Sequence, residues 1–356
     1  MTNLQPVIDH ASLLERFDAR LAAFFSDRLA VAARYGGEYH RLWSGARDAS
    51  DGGKRLRPRL VLSAFDALGG TDRDAALDVA LAFELLHTAF LLHDDVIDAD
   101  VVRRGRPNLS GTFSADARCR GVEDARAARW GESAAILAGD LLLHAAASLV
   151  ARVPVGTVAR TALLDVLDHS IFVSAAGELA DVSFAVGMDE ARLPDVLAMT
   201  ERKTSAYSFA GPLSAGAILA RAGGDALAAL DEYGRMLGIA FQLGDDLLGV
   251  FGDEAVTGKS VLGDLRQGKQ TSLIAYARAT RHWRRIQPAF GRPDLPAAAG
   301  RRVAALLEEC GARHFVELLL TEHTDAALAA LQTAALPAAL REELADVARS
   351  CIGRLS

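Results

Sequence analysis

The chain has 356 residues, of which 51% are hydrophobic and only 6% aromatic. Its formal net charge of −7 excludes a nucleic-acid surface and provides no basic stripe for a membrane. Ala and Leu dominate while strand-favouring runs are scarce, so an all-α fold with an ample core follows, because Ala and Leu lose little on entering a helix.

Met1 to Phe17 carries acidic residues and no apolar core, so no signal peptide is expected. Gly52-Gly53-Lys54-Arg55-Leu56-Arg57-Pro58 reads as a turn followed by a helix start. The clearest helical periodicity runs from about Asp74 to Asp100. After it, Gly105 to Gly131 is rich in Gly, Ser, Asp and Arg and reads as a loop bordering a site. The apolar stretch Leu137–Val150 is interrupted by Asp140 and His144 and is too short to span a bilayer, so no membrane span is expected. Further helical runs extend from about Leu193 to Ala210 and from about Asp231 to Phe251. Pro288, Pro293 and Pro296 mark a link, Pro288 to Gly300, to a helical C-terminal segment. Cys119, Cys310 and Cys351 form no CxxC pair or disulfide framework, which points to a reducing compartment and a cytoplasmic location. The expectation is a single all-helical domain over 1–356, with a motif-bearing core at about 50–285 and C-terminal helices at about 300–356.

Within the first strong helix, Asp94 and Asp98 stand one turn apart on the same side, with Asp95 beside them. Glu84, His87 and Leu91 continue that stripe at spacings of three and four along an otherwise apolar helix. Carboxylates this close repel one another, so a cation is expected to compensate, and hard oxygen ligands suit magnesium. Asp245 and Asp246 form a second acidic pair late in another apolar helical run. Neither cluster has the Cys and His partners of a zinc site. Acidic clusters on different helices of one bundle can face each other across a cavity. Magnesium takes few carboxylates and completes its shell with water and phosphate oxygens, so a diphosphate ligand is implied.

A diphosphate needs cations beyond the metal. Lys54, Arg55 and Arg57 cluster at the early turn, and Arg103-Arg104 follows the first acidic helix. Lys203, next to Thr204, and then Lys259 and Lys269 lie around the second acidic pair. Arginine forks grip phosphate oxygens bidentately, while lysine acts as a point charge.

With these motifs in this order, about residues 50 to 280 resemble the trans-isoprenyl diphosphate synthases, the family of farnesyl and geranylgeranyl diphosphate synthases. Gly53-Lys54-Arg55-Leu56-Arg57-Pro58 resembles the family's isopentenyl diphosphate motif, which implies binding roles for Lys54 and Arg57. His87 matches the histidine that holds the same substrate. Asp94-Asp95-Val96-Ile97-Asp98 resembles the first aspartate-rich motif, with Asp94 and Asp98 implied as magnesium ligands and Asp95 as their support. The resemblance assigns Arg103 to the allylic diphosphate and Arg104 to isopentenyl diphosphate. Lys203, Lys259 and Lys269 match lysines on the leaving diphosphate, and Thr204 and Gln242 match polar groups beside the allylic carbon. The isoprenoid-synthase helical bundle, a homodimer and three magnesium ions are likewise implied. Two departures stand out. The second aspartate motif reads Asp245-Asp246-Leu247-Leu248-Gly249, with Gly where the family usually has a third Asp. Asp245 is kept as a metal ligand, with Asp246 beside it. Gly177-Glu178-Leu179-Ala180-Asp181 carries Glu where the family commonly has Gln, a negative charge that either weakens diphosphate binding or draws in a cation.

The implied activity condenses isopentenyl diphosphate with an allylic diphosphate to a short chain, geranylgeranyl diphosphate first and farnesyl diphosphate next. Phe90 lies one turn below Asp94, a rise of about 5.4 Å, where its ring would block the cavity floor beside the smaller Ala89. A class I terpene cyclase is the first alternative, resting on Asp245 to Asp253, but it leaves Lys54, Arg57, His87 and Arg104 without a purpose. A non-catalytic subunit of a synthase pair is the second, resting on Gly249 and Glu178.

Overall fold

Alanine- and leucine-rich runs become helices almost everywhere in the computed structural model, which describes residues 10–189, 191–252 and 263–352. The helices gather into two units, Met1–Leu167 with Pro212–Ala222, and Asp168–Gly211 with Gly223–Ser356.

In the first unit, α1 (His10–Ala32), α2 (Gly37–Ser50) and α3 (Leu56–Ala67) precede the long α4 (Arg73–Ile97). Asp72 caps α4 by accepting a hydrogen bond from the amide of Ala75 at 3.0 Å. Ala75, Ala76, Val79, Ala80 and Phe83, followed by Leu85, Leu86 and Ala89, are buried, so α4 is the core helix of its unit. Two-residue strands, Val102–Arg103 and Arg106–Pro107, pair antiparallel after it. Helices α5 (Leu109–Cys119) and α6 (Asp124–Arg152) follow, and α6 packs along α4. The buried face of α6 includes Ala134, Ala135, Ala138 and Gly139, small side chains that let the two helices approach closely.

The stretch 105–131 is therefore largely helical and not a loop. Asn108 caps α5 through the amide of Gly111 at 2.8 Å, and Glu123 caps α6 through the amides of Ala125 and Arg126. Two of the glycines that resembled loop signals, Gly111 and Gly131, are packing positions. A Cβ on Gly111 would collide with the carbonyl of Val101, and one on Gly131 with the carbonyl of Ser110. By length and composition α4 and α6 are both apolar enough to cross a membrane, a match that reading 137–150 alone did not anticipate. In their most apolar windows, 78% of α4 and 44% of α6 is buried inside the protein.

The boundary between the units falls within α7 (Thr157–Ala185). Beyond it come α8 (Leu193–Thr200), a π-helical segment Glu201–Ala210, α9 (Gly211–Leu219) and α10 (Gly224–Phe251). All but the first residue of α9 belongs to the first unit. The second unit continues with α11 (Gly263–Gln267), α12 (Ser272–Arg278), α13 (Trp283–Ile286), α14 (Ala297–Glu309), α15 (Ala312–Ala330) and α16 (Ala338–Ile352). Leu243 and Leu247 of α10, Leu273 and Ile274 of α12, and Val316 and Leu320 of α15 share one buried cluster. Tyr233, fully buried, donates its hydroxyl to the carbonyl of Leu344 at 2.7 Å and ties α10 to α16. The periodicity expected over 193–210 is present, but its second half is π-helical.

Candidate active site

Along α4, His87, Phe90, Leu91, Asp94 and Asp98 are half-buried, whereas Leu85, Leu86, Thr88, Ala89, Leu92 and Asp95 are buried. The stripe read from spacing is thus a partly open face on an otherwise enclosed helix. Asp94 and Asp98 lie on it, and Phe90 lies below them. Ala89 instead belongs to the core, at 0% exposure.

Asp95 turns away from that face. Its Oδ1 accepts from Nε and Nη2 of Arg103 at 2.8 and 2.7 Å. Burial pushes the Asp95 carboxyl up, and the Arg103 contact opposes that shift. Asp95 therefore anchors Arg103. The next two residues form the tight turn between the short strands. Arg104 and Gly105 both have positive φ, 53° and 71°, as a two-residue primed hairpin turn requires. This turn lays the Arg104 guanidinium over the Gly52-Gly53 turn, where Nη1 donates to the carbonyl of Asp51 at 3.3 Å. A Cβ on Gly53 would stand 3.3 Å from Arg104 Nη2.

Arg57, Arg103 and Arg104 all act on His87. Burial first, and then the charges of these guanidinium groups, hold its imidazole well below the ordinary histidine range. His87 is therefore neutral at pH 7 and offers one ring N–H. Lys54 is exposed, just ahead of α3, whose second residue is Arg57. Arg57, Arg103 and Arg104 are thus all near enough for their charges to act on His87.

Arg55 does something else. It takes a left-handed conformation with φ 48° and points inward. Its Nη1 donates to Glu84 Oε1 at 2.8 Å and to the carbonyl of Ser50 at 2.7 Å, while Nε reaches Asp18 at 3.0 Å. Arg55 is a strut between α1, α2 and α4, and Glu84 of the polar stripe is its buried partner.

The second unit carries its own cluster. The π-helical segment is held where glycines allow close approach. A Cβ on Gly177 of α7 would meet the backbone of Arg202 and Lys203, and one on Gly238 of α10 would meet Ser205. Such π turns recur at functional sites. Thr204 donates to Gln242 Oε1 at 3.1 Å, and Gln242 Nε2 donates to Asp246 Oδ1 at 2.9 Å. Lys203 Nζ lies 2.7 Å from both Glu178 Oε2 and Asp181 Oδ2. On α10, Gln242, Asp245, Leu248 and Gly249 are half-buried, again a stripe at helical spacing, while Asp246 is buried. Burial, together with the charges of Asp264, Asp245 and Asp181 and against the Gln242 hydrogen bond, pushes the Asp246 carboxyl up to about 8.

Asp264 was not singled out by the sequence. Its carboxylate lies beside Gly249, where a Cβ would come within 2.6 Å of Oδ2. Lys269 follows just after α11, its amide donating to the carbonyl of Asp264 at 3.0 Å. The predicted Lys259 lies outside the described residues.

Among the described residues, no three His, Cys, Asp or Glu side chains are arranged to hold a metal by themselves. The candidate donors are carboxylate oxygens, those of Asp94, Asp98 and Asp245 on partly open helix faces. That set suits a hard divalent ion whose remaining ligands are water or phosphate.

A sequence model of the polyprenyl synthetase family matches residues 46–298. The short chain isoprenyl diphosphate synthase of Methanothermobacter thermautotrophicus is 35% identical over 275 residues, covering 76% of this chain and 78% of that protein. A (2E,6E)-farnesyl diphosphate synthase of Mycobacterium tuberculosis is 35% identical over 292 residues, covering 81% of this chain and 71% of that one. The solved geranylgeranyl pyrophosphate synthase of Corynebacterium glutamicum, complexed with isoprenyl diphosphate and magnesium, matches with a TM-score of 0.90 and 30% identity. That match covers 98% of this chain and 100% of that one.

Proposed function

The chain belongs to the polyprenyl synthetase family as a short-chain prenyltransferase, and from that premise we propose that it joins isopentenyl diphosphate to allylic diphosphates with magnesium, making mainly geranylgeranyl diphosphate. The observation that carries this reading is the convergence of Arg57, Arg103 and Arg104 on a neutral His87, in the unit whose central helix opens Asp94 and Asp98. A terpene cyclase binds one diphosphate and gives this second set of cations no task.

In this reading Asp94, Asp98 and Asp245 hold magnesium, three ions in all, with Asp246 beside Asp245. Magnesium supplies Lewis-acid stabilisation of charge on the departing diphosphate. Lys54, Arg57, His87 and Arg104 orient isopentenyl diphosphate. Arg103, fixed in place by Asp95, and Lys203 and Lys269 offer preorganised positive charge to the allylic diphosphate. The Lys259 assignment rests on the resemblance alone. Thr204 and Gln242 line the region of the allylic carbon. The allylic carbon–oxygen bond breaks with its electron pair leaving on diphosphate. The double bond of isopentenyl diphosphate then supplies the electrons of the new carbon–carbon bond. The released diphosphate takes the proton lost in restoring a double bond. Holding both substrates in register supplies the entropic share of the acceleration.

The reading treats the chain as one catalytic domain, because the matched family region draws on both units. It also includes a cytoplasmic homodimer. Trp130, Ile136 and Leu137, exposed on α6 at 41, 43 and 55%, support a protein-covered face there.

The test is incubation of purified protein with magnesium, isopentenyl diphosphate and, in turn, allylic diphosphates of different length, with the products weighed by mass spectrometry. Linear diphosphates lengthened by whole isoprene units are expected. A cyclic hydrocarbon from geranylgeranyl diphosphate alone would replace this reading with the cyclase.

A further inference from the structure

We propose that Glu178 is a positioning residue that holds the Lys203 ammonium in a carboxylate clamp and so sets the affinity for the allylic diphosphate. The inference rests on the assignment of Lys203 to that substrate.

The geometry begins with Gly177. Its missing side chain lets α7 reach the backbone of Arg202 and Lys203 more closely than any other residue would permit. Glu178 and Asp181, three apart on the inner side of α7, then project toward the same point. Lys203 Nζ sits between them at 2.7 Å from each. All three side chains are largely sheltered, at 23% exposure for Lys203, 17% for Glu178 and 12% for Asp181. Shielding from water strengthens such pairs relative to surface ones.

One ammonium between two carboxylates leaves the trio net negative. Without Glu178, Lys203 and Asp181 would form a neutral pair. With it, an arriving diphosphate competes with two carboxylates for one ammonium. Asp246 feels Asp181, Asp245 and Asp264, so one carboxylate of the clamp also acts on the acidic pair of α10. Glu178 also helps fix the ammonium at a defined place at the start of the π-helical segment, next to Thr204. The clamp thus trades ground-state affinity for a lysine that is positioned but loosely committed, which favours release of the diphosphate after the bond has formed.

The variant Glu178→Gln keeps size and hydrogen-bonding capacity but removes the charge, and Glu178→Asp keeps the charge. Steady-state kinetics with magnesium should show KM for the allylic diphosphate falling about 3- to 10-fold in Glu178→Gln, the scale of one partly sheltered ion pair. KM for isopentenyl diphosphate should stay fixed, kcat should not rise, and Glu178→Asp should lie near the wild type. Calorimetric titration with inorganic diphosphate and magnesium should show the same tightening. An unchanged or raised allylic KM in Glu178→Gln, or an equal drop in both substrates' KM values, would overturn the clamp. If the wild type elongates nothing, calorimetry still decides. Tighter inorganic diphosphate in Glu178→Gln keeps the clamp while the prenyltransferase reading falls, and equal binding removes the clamp.

Discussion

The carboxylate of Asp264 stands over the bare backbone of Gly249, so close that a Cβ there would lie 2.6 Å from Oδ2. The space that a third aspartate of the second motif would use is filled from α11. Gly249→Asp should therefore lower stability by about 2 kcal/mol through crowding and like-charge repulsion. Adding Asp264→Gly should restore most of that loss. Thermal unfolding of the two single variants and the double gives the coupling. Simple additivity would show that the two positions do not compete for one space.

Arg55 and Arg57 are two residues apart, yet opposite consequences are expected from removing each. Arg55→Met leaves Glu84 buried without its cation and should cost about 3–5 kcal/mol of stability. Arg55→Met combined with Glu84→Met should recover much of it. Arg57→Met should cost less unfolding free energy than Arg55→Met while raising KM for isopentenyl diphosphate at least about tenfold. Urea unfolding and steady-state kinetics on the same preparations separate the two.

His87 has a definite pH signature. Its folded-state pKa is depressed, by burial and by the nearby arginines, so near pH 6.5 the unfolded chain takes up a proton that the folded chain refuses. Stability contributed at this position is whole above about pH 6.5 and declines as pH falls from there toward the folded pKa. His87→Asn should flatten that part of the curve. Comparing urea midpoints of both proteins between pH 5 and 8 checks the sign, and parallel curves would rule out His87 as the source.

Phe90 and Ala89 are neighbours with different surroundings. Phe90→Ala on the open stripe should lengthen the main product by at least one isoprene unit with little change in stability. Ala89→Phe, in the packed interior, should instead destabilise by about 1–3 kcal/mol and yield little soluble enzyme. Mass spectrometry of products and thermal unfolding read the two effects. Unaltered product length in Phe90→Ala would remove that ring from chain-length control.

What the sequence revealed and what it hid have physical reasons. The stripe His87, Phe90, Leu91, Asp94 and Asp98 was legible because helical spacing maps directly onto one side of α4. The helices between 109 and 131 were not, because Gly111 and Gly131 are required by neighbouring backbone and mimic turn signals. Arg55 and Arg57 look alike as letters, and only the positive φ at Arg55 turns it into the protein. Asp264 was hidden because its nearness to Gly249 arises through space and not through spacing. The partner of Lys203 was not legible: Glu178 was expected either to weaken diphosphate binding or to draw in a cation, and the structure pairs it with Lys203.

The segment Glu201–Ala210 carries one further consequence. A π-helical turn accommodates an extra residue where an α-helix would have none. The segment therefore holds one more residue than an α-helix of the same phase would, without a loop. Deleting one residue from the segment should let it relax to an α-helix and leave its flanks in phase, moving only the side chains within it. The azimuth of Lys203 and Thr204 relative to everything after them is thus written as a count of residues, a property that substitution alone cannot change.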